Sequence, residues 1–558
     1  MTKTRSTCVL PLDILHLILG YFAIPPPPHS QPCGLDPSEK ATLQSLRLTS
    51  YDFNILATPR LFHTLILRVD SSSLSTLVAM SSDRDPQAAQ LPVVTQYIKR
   101  ICINLDCYSK DLAMNKSVFQ NFHEFVFDDL LVKEARRYGL RVESYRQMLE
   151  DLEASDSSYA ERFCNTLSTW ESVLTSWDAR RPPSFRLRQN GVCQAAYQAV
   201  LDQGYSSYCR LFKEQKALCK RMGRNLFLKR LRMALKRMPL VRDFTLCDSS
   251  ILGGRRFNDP HIVLADPQAL VQFLRQGNSW RSYSRHSPKT KIGLTGFLID
   301  LPIALLTASS SLRTLELHVF VQPQQLPLLN RRMGTWKLFE AACSRLERFS
   351  FDFSQETNVA EADYRIHRAV ASIPYLQLDH FQLEPRAGGN KLFATRFFAS
   401  ALSSPRLRHL HLSSAAVRAL TDTRALASID LSTARAAIAG VRVLRLTNVS
   451  VTDAELEEFT SLLSCDLQEL HMGPIHLESG TFSNTLNLLR GRIAGRDTVR
   501  VHLKDLVACE HMQTTVNESS STFLRLSTRR AEEYITSEEA TGDADNLLET
   551  VPWDAGET

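Results

Sequence analysis

The chain has 558 residues, 44% of them apolar and 22% charged, with 66 Lys+Arg against 59 Asp+Glu and a formal net charge of +7; its mean hydropathy is −0.17. This is an ordinary globular composition over several times the usual domain length. The sequence has no apolar run of the ~18 residues a membrane-spanning helix needs, and it is too poor in Gly (21) and Pro (24) for a fibrous or wholly disordered chain.

The twelve cysteines form no CxxC pair. A disulfide framework and the zinc and thioredoxin-type signatures are therefore excluded, and reduced thiols in the cytoplasm and/or nucleus are expected. The charge is unevenly placed. Twelve Lys/Arg and one acid, Glu214, fall between Arg210 and Arg242, while nine acids and no Lys or Arg fall between Ala531 and Thr558.

At the N-terminus, Pro11, Asp13 and His16 interrupt the apolar stretch, Pro25 to Pro28 follow it, and no small-x-small cleavage site appears. A secretory leader is not expected, so the Asn-x-Ser sequons at Asn115, Asn448 and Asn517 carry no weight. Leu10-Pro11 starts a predicted helix, because proline fits the first turn. The helix continues through Leu12, Ile14, Leu15, Leu17, Ile18 and Leu19 and is apolar nearly all round, so it must be covered on more than one side. Residues 43–57 hold two further short helical patterns that meet near Thr49 and Ser50, and a strand-like run, 64–69, follows.

Leu10-Pro11-Leu12-Asp13-Ile14-Leu15 with Ile18 and Phe22, then Leu43, Leu46-Arg47-Leu48-Thr49 and Phe53, resemble an F-box, and residues 57–65 resemble the tail of its fungal version. The resemblance covers about a tenth of the chain and implies a three-helix module over 7–64. It further implies a non-catalytic, substrate-recognition subunit of an SCF-type cullin–RING ubiquitin ligase, with a Skp-family adaptor and a cullin as partners. Leu10, Pro11, Ile14, Leu15, Ile18, Leu46 and Leu48 would line the adaptor contact. The bland reading of the same residues is a helical cap on a repeat domain.

The rest of the chain repeats an L-x-x-L-x-L strand pattern, a turn and an amphipathic helix. Copies stand at 98–103, 241–246, 312–317, 346–351, 376–381, 407–412, 441–446 and 467–472, with helical stretches such as 335–345, 362–372, 391–402 and 453–463 between the later ones. One such unit cannot bury its own apolar face, but stacked units bury each other's. The pattern resembles an irregular leucine-rich repeat.

The expected class is therefore α/β: an F-box-like module (7–64), first repeat strands (65–109), a helical insertion with the basic segment (110–239), a leucine-rich-repeat-like domain (240–515) and an acidic, disordered tail (516–558). Substrate-binding candidates are the polar strand positions Arg408, His409, His411, Arg445, Glu469 and His471, which equally fit a solvated sheet face. The basic stretch 211–238 keeps apolar residues at helical spacing. It suits phosphates, an acidic protein, nuclear import, the acidic tail or plain solvent. A ligase-independent scaffold that binds nucleic acid or an acidic partner through this helix is the alternative function, although base-reading motifs are absent and nucleic acid is not the expected partner. The phosphate-loop, dinucleotide, metalloprotease and nucleophile-elbow motifs are all missing. No catalytic residue, cofactor, metal or membrane contact is assigned.

Overall fold

The computed structural model describes residues 37–49, 51–81, 94–105, 108, 110–137, 158–177, 194–219, 226–247, 259–276, 297–308, 311–318, 332–351, 396–413, 438–447, 449–473, 475–479, 482–494, 496, 499–503, 506–508, 523–526, 532, 534–536 and 548–551. The predicted helix at 10–22, the strand run at 376–381 and most of the predicted tail lie outside the described residues.

In chain order the elements begin with α1 (Pro37–Arg47), α2 (Tyr51–Leu61), β1 (Thr64–Arg68), α3 (Ser71–Ser81), β2 (Arg100–Asn104), α4 (Lys110–Met114), α5 (Lys116–Arg137), α6 (Ser158–Trp177) and α7 (Gln194–Cys219). They continue with α8 (Leu226–Leu235), β3 (Asp243–Cys247), α9 (Pro260–Ala265), α10 (Pro267–Leu274), α11 (Phe297–Thr307), β4 (Thr314–His318), α12 (Met333–Cys343), β5 (Arg348–Phe351) and β6 (His409–Ser413). The last part holds β7 (Val443–Thr447), β8 (Val449–Thr452), α13 (Asp453–Ser461), β9 (Glu469–Met472), β10 (Ile475–Ser479), α14 (Phe482–Ile493), β11 (Arg500–Leu503), β12 (Leu506–Ala508), β13 (Phe523–Leu526) and β14 (Leu548–Val551). None of the described helices is long and apolar enough to cross a membrane.

The molecule is α/β. Nine strands form one sheet in the order β1-β2-β3-β4-β5-β6-β7-β9-β11, and each pairs in parallel with the next. The register is continuous and puts side chains into rows across the strands. One row runs Leu65, Ile101, Phe244, Leu315, Phe349, Leu410, Leu444, Leu470, Val501, and a second runs Leu67, Ile103, Leu246, Leu317, Phe351, Leu412, Leu446, Met472, Leu503. Both rows belong to a single core, with Leu65 partly buried at its margin.

Residues from α3, α8, α11, α12, α13 and α14, and Phe397, Phe398 and Ala401, complete this core. The repeated leucine spacing thus has a physical basis. In a strand, alternate side chains share a face, so two leucines two apart supply one step of each row. A parallel sheet with helices on both faces has apolar residues throughout its strands. Here apolar and polar residues alternate, for example buried Leu410 and Leu412 with half-buried His409 and His411. Ser404, fully buried, ties neighbouring units together: its hydroxyl lies 3.1 Å from the Ser344 carbonyl and 2.7 Å from that of Leu346.

A second core lies in the helices α4–α7, α9 and α10. They come from two segments of chain, one leaving the end of β2 and the other the end of β3. Phe127 stacks on Trp170 at 4.0 Å, whose indole N–H donates to Asp128 at 2.9 Å. Asp259 and Asp266 each accept a backbone N–H at a helix start and are each followed by proline, which sets α9 and α10 end to end. Of the predicted segment 110–239, α8 belongs to the core of the sheet and not to this one.

The strand β11 and a second, five-stranded sheet were not anticipated. β8, β10 and β12 each follow a strand of the main sheet, and their sheet is ordered β14-β13-β12-β10-β8, with β13 and β14 antiparallel. The tail from 516, expected to be disordered, contributes those two strands. It also places Tyr534 and Ile535 in the main core, and Glu532 Oε1 accepts the Leu503 N–H at 2.6 Å.

Candidate functional site

The polar side of the nine-stranded sheet has its own rows. The central one reads Ile66, Cys102, Thr245, Glu316, Ser350, His411, Arg445, His471, His502. On β2 and β3 this face is closed, with Cys102, Asn104, Thr245 and Cys247 each at most 1% exposed. Thr245 donates to Glu316 Oε2 at 2.9 Å, and Arg100 lies 3.5 Å from the other carboxylate oxygen. Cys209, Cys247, Cys343 and Cys465 are free but Cys102 is disulfide-bonded, so the expectation of thiols reduced throughout fails at that position.

From β5 to β11 the face is half-buried or exposed and rich in ionisable groups. His411 bridges two hydroxyls, with Nδ1 3.2 Å from Ser350 Oγ and Nε2 3.3 Å from Thr447 Oγ1. His471 Nε2 donates to Glu469 Oε1 at 2.5 Å, Arg445 stands 3.5 Å from the same oxygen, and the rings of His471 and His502 stack at 4.5 Å. Burial opposes ionisation of Glu469, yet the His471 hydrogen bond and charge and the Arg445 guanidinium hold its carboxyl below the ordinary value. Burial, then Arg348, lowers His409 to about 4. Burial also lowers His471, against the pull of Glu469.

Five of the six candidates predicted on the strands meet on this face: His409, His411, Arg445, Glu469 and His471. Arg408 does not. It precedes β6 by one residue, and its guanidinium donates to the Gly440 carbonyl at 2.9 Å. His502 completes the cluster and escaped the sequence pattern, because Thr498 stands where the other copies have their first leucine, isoleucine or valine.

Of the adaptor-contact candidates, Leu10, Pro11, Ile14, Leu15 and Ile18 lie outside the described residues. Leu46 packs into the small α1–α2 core around Leu43 and Ala57. Leu48 is 82% exposed, and Tyr51 and Ile55 are exposed beside it in sequence. Along the basic segment, Lys213, Lys216, Lys229, Arg232 and Lys236 are exposed while the apolar residues between them are mostly buried.

A cleft of about 430 Å³ opens between α6 and α9, lined by Arg162, Asn165, Thr166, Thr169, His261, Leu264 and Ala265. At one wall, His261 Nδ1 lies 2.5 Å from Thr166 Oγ1. Burial and Arg162 lower the His261 pKa, opposed by Asp259 and Glu134. Among the described residues, two groups have donor atoms close enough to share a metal ion: Glu134 with Asp259 and His261, and Glu469 with His471 and His502. No protein-family model matches the chain, and no curated protein matches it.

Proposed function

We propose that the chain is a non-catalytic recognition subunit of an SCF-type ubiquitin ligase. Its F-box-like N-terminus would hold a Skp-family adaptor, and through it the cullin, while the open half of the sheet would hold a protein substrate. The observation that carries this reading is the apolar surface of α2 and of the turn that joins it to α1. Leu48, Tyr51 and Ile55 are exposed by 82%, 76% and 50%, around a core in which only Leu43 and Ala57 are fully buried. Covering each such side chain contributes ~1.5–3 kcal/mol, enough for a few to anchor an interface. On this reading Leu10, Pro11, Ile14, Leu15 and Ile18 would share in the adaptor contact. The one-sided sheet, built of leucine-rich-repeat-like units, supports the second half of the reading by presenting polar, varied side chains on a fixed frame.

Co-expression with a Skp-family adaptor and size-exclusion chromatography test the proposal. Stoichiometric co-elution, lost on combining Ile14→Asp and Leu15→Asp and weakened by Leu48→Asp, is the expected result. The reading fails if full-length chain and adaptor elute separately. The alternative scaffold, favoured by the exposed lysines and arginines of α7 and α8, predicts instead steeply salt-dependent binding to unrelated DNA that those three substitutions leave unchanged.

A further inference from the structure

We propose that Glu469, His471 and His502 form a binding site for a zinc-class divalent metal ion at the β9–β11 end of the open sheet face. Strand geometry brings them together. Glu469 and His471 are two apart on β9 and so share a face. His502 lies on β11 directly opposite His471 in the parallel register, at the ~4.8 Å spacing of neighbouring strands. The donor atoms of the three side chains all lie within 4.8 Å of one another. A tetrahedral ion with ligands at ~2.0–2.2 Å needs donors roughly 3.3–3.6 Å apart. Exposed His502 can turn toward the pair by side-chain rotation. His471 Nε2 and Glu469 Oε1, hydrogen-bonded at 2.5 Å, must part by about 1 Å, and the imidazole nitrogen must release its proton to solvent, when the ion binds.

The donor set selects the ion. Two imidazoles and one carboxylate suit zinc, copper(II), nickel or cobalt, whereas calcium and magnesium prefer oxygen ligands alone. The rigid backbone fixes three ligands and leaves the remaining coordination positions facing outward, where water or a side chain of a bound partner completes the shell. The second candidate group is poorer in nitrogen, and two of its members have other duties. Asp259 Oδ1 accepts the His261 N–H at the start of α9, and His261 Nδ1 faces the Thr166 hydroxyl.

One neighbour opposes the ion and makes the proposal sharp. The Arg445 guanidinium stands 3.5 Å from Glu469 Oε1, so a divalent cation and this arginine compete for one carboxylate. Replacing Arg445 with a neutral residue should therefore strengthen metal binding, the opposite of what loss of an ordinary contact does.

The test is titration of the chelator-stripped, full-length chain with zinc chloride by calorimetry and with cobalt(II) by visible absorption. One equivalent of ion should bind. His502→Ala and Glu469→Gln should each weaken binding by roughly tenfold or more, since even outer-sphere losses cost about 10–100-fold. Arg445→Gln should tighten it several-fold. Thermal melts by circular dichroism without metal should show each variant folded, as expected for residues outside the core. The proposal is overturned if wild-type chain shows no saturation by about 100 µM zinc, at the weak end of metal-site affinities. Affinity unchanged in His502→Ala, or binding abolished by His261→Ala instead, would overturn it equally.

Discussion

The two halves of the nine-stranded sheet share their backbone plan and differ in everything placed on its polar side. The buried rows run unbroken from Leu65 to Val501 and from Leu67 to Leu503. Over β2 and β3, where two long segments leave the strand ends, the polar face is closed and carries Cys102, Asn104, Thr245 and Cys247. Over β6 to β11, where the connections are mostly short strand–helix units, it carries His411, Arg445, His471 and His502, half-buried or exposed. Residue chemistry follows cover. Closed positions hold uncharged groups, whereas open ones tolerate charge because solvent supplies what protein does not.

The largest expected effect breaks both halves at once. Phe349 is 1% exposed on β5, between them, and Phe349→Ala should cost about 3–5 kcal/mol. Hydrogen exchange should then show β2–β4 and β6–β9 losing protection together; separate losses would mean that the shared rows do not couple them. Acid should distinguish the regions next. Burial pushes His123, in the helical core, down to about 4, with Nδ1 2.9 Å from the Phe119 carbonyl. A histidine depressed by folding takes its proton in the unfolded chain first. Its stabilising effect is therefore complete above pH 6.5 and is lost as pH falls towards 4, on the order of 3 kcal/mol in all. Protection factors of residues 116–137, corrected for the intrinsic slowing of amide exchange in acid, should fall across that window, and His123→Gln should flatten the response. His409 is shifted to a similar value but is only half-buried, so its region should respond less.

A smaller effect tests how tightly the helical core is packed. A Cβ at Gly204 on α7 would meet Leu274 Cβ of α10 at 2.7 Å, whereas one at Gly334 or Gly491 meets nothing within 4 Å. Gly204→Ala should destabilise by about 1–3 kcal/mol, and Gly491→Ala, inside α14, should stabilise by up to ~1 kcal/mol, both read from denaturant melts. The smallest change belongs to the open face. His471→Ala should alter stability by no more than about 0.5 kcal/mol, because its hydrogen bond with Glu469 is partly solvated.

Legibility in the sequence divides along similar lines. Runs such as Leu407, Leu410 and Leu412 announce their strands, because one face must always be apolar. The same alternation puts His409, His411, Arg445, Glu469 and His471 on the polar side of their strands, and it also includes Arg408, which lies one residue before β6. β11 is hidden by Thr498. The second sheet is hidden because its strands are short and directly follow strands already assigned, as Val449 follows Thr447 after one residue. Tyr534 and Ile535 stand alone in an acidic stretch, and two residues make no period. The cleft beside His261 joins helices nearly a hundred residues apart, from side chains with no local pattern, so only folding brings them together.

Glu532 has a consequence for how the molecule can be shortened. β11 ends the main sheet, and its outer side would present unpaired amides to any passing strand. The Leu503 amide is met instead by the Glu532 carboxylate, while Tyr534 and Ile535 seal the hydrophobic layer beneath. A version cut near residue 520 would lose both. It would offer a ready template for strand addition by a second molecule, so oligomers formed by such a fragment would report the cut and not the native protein.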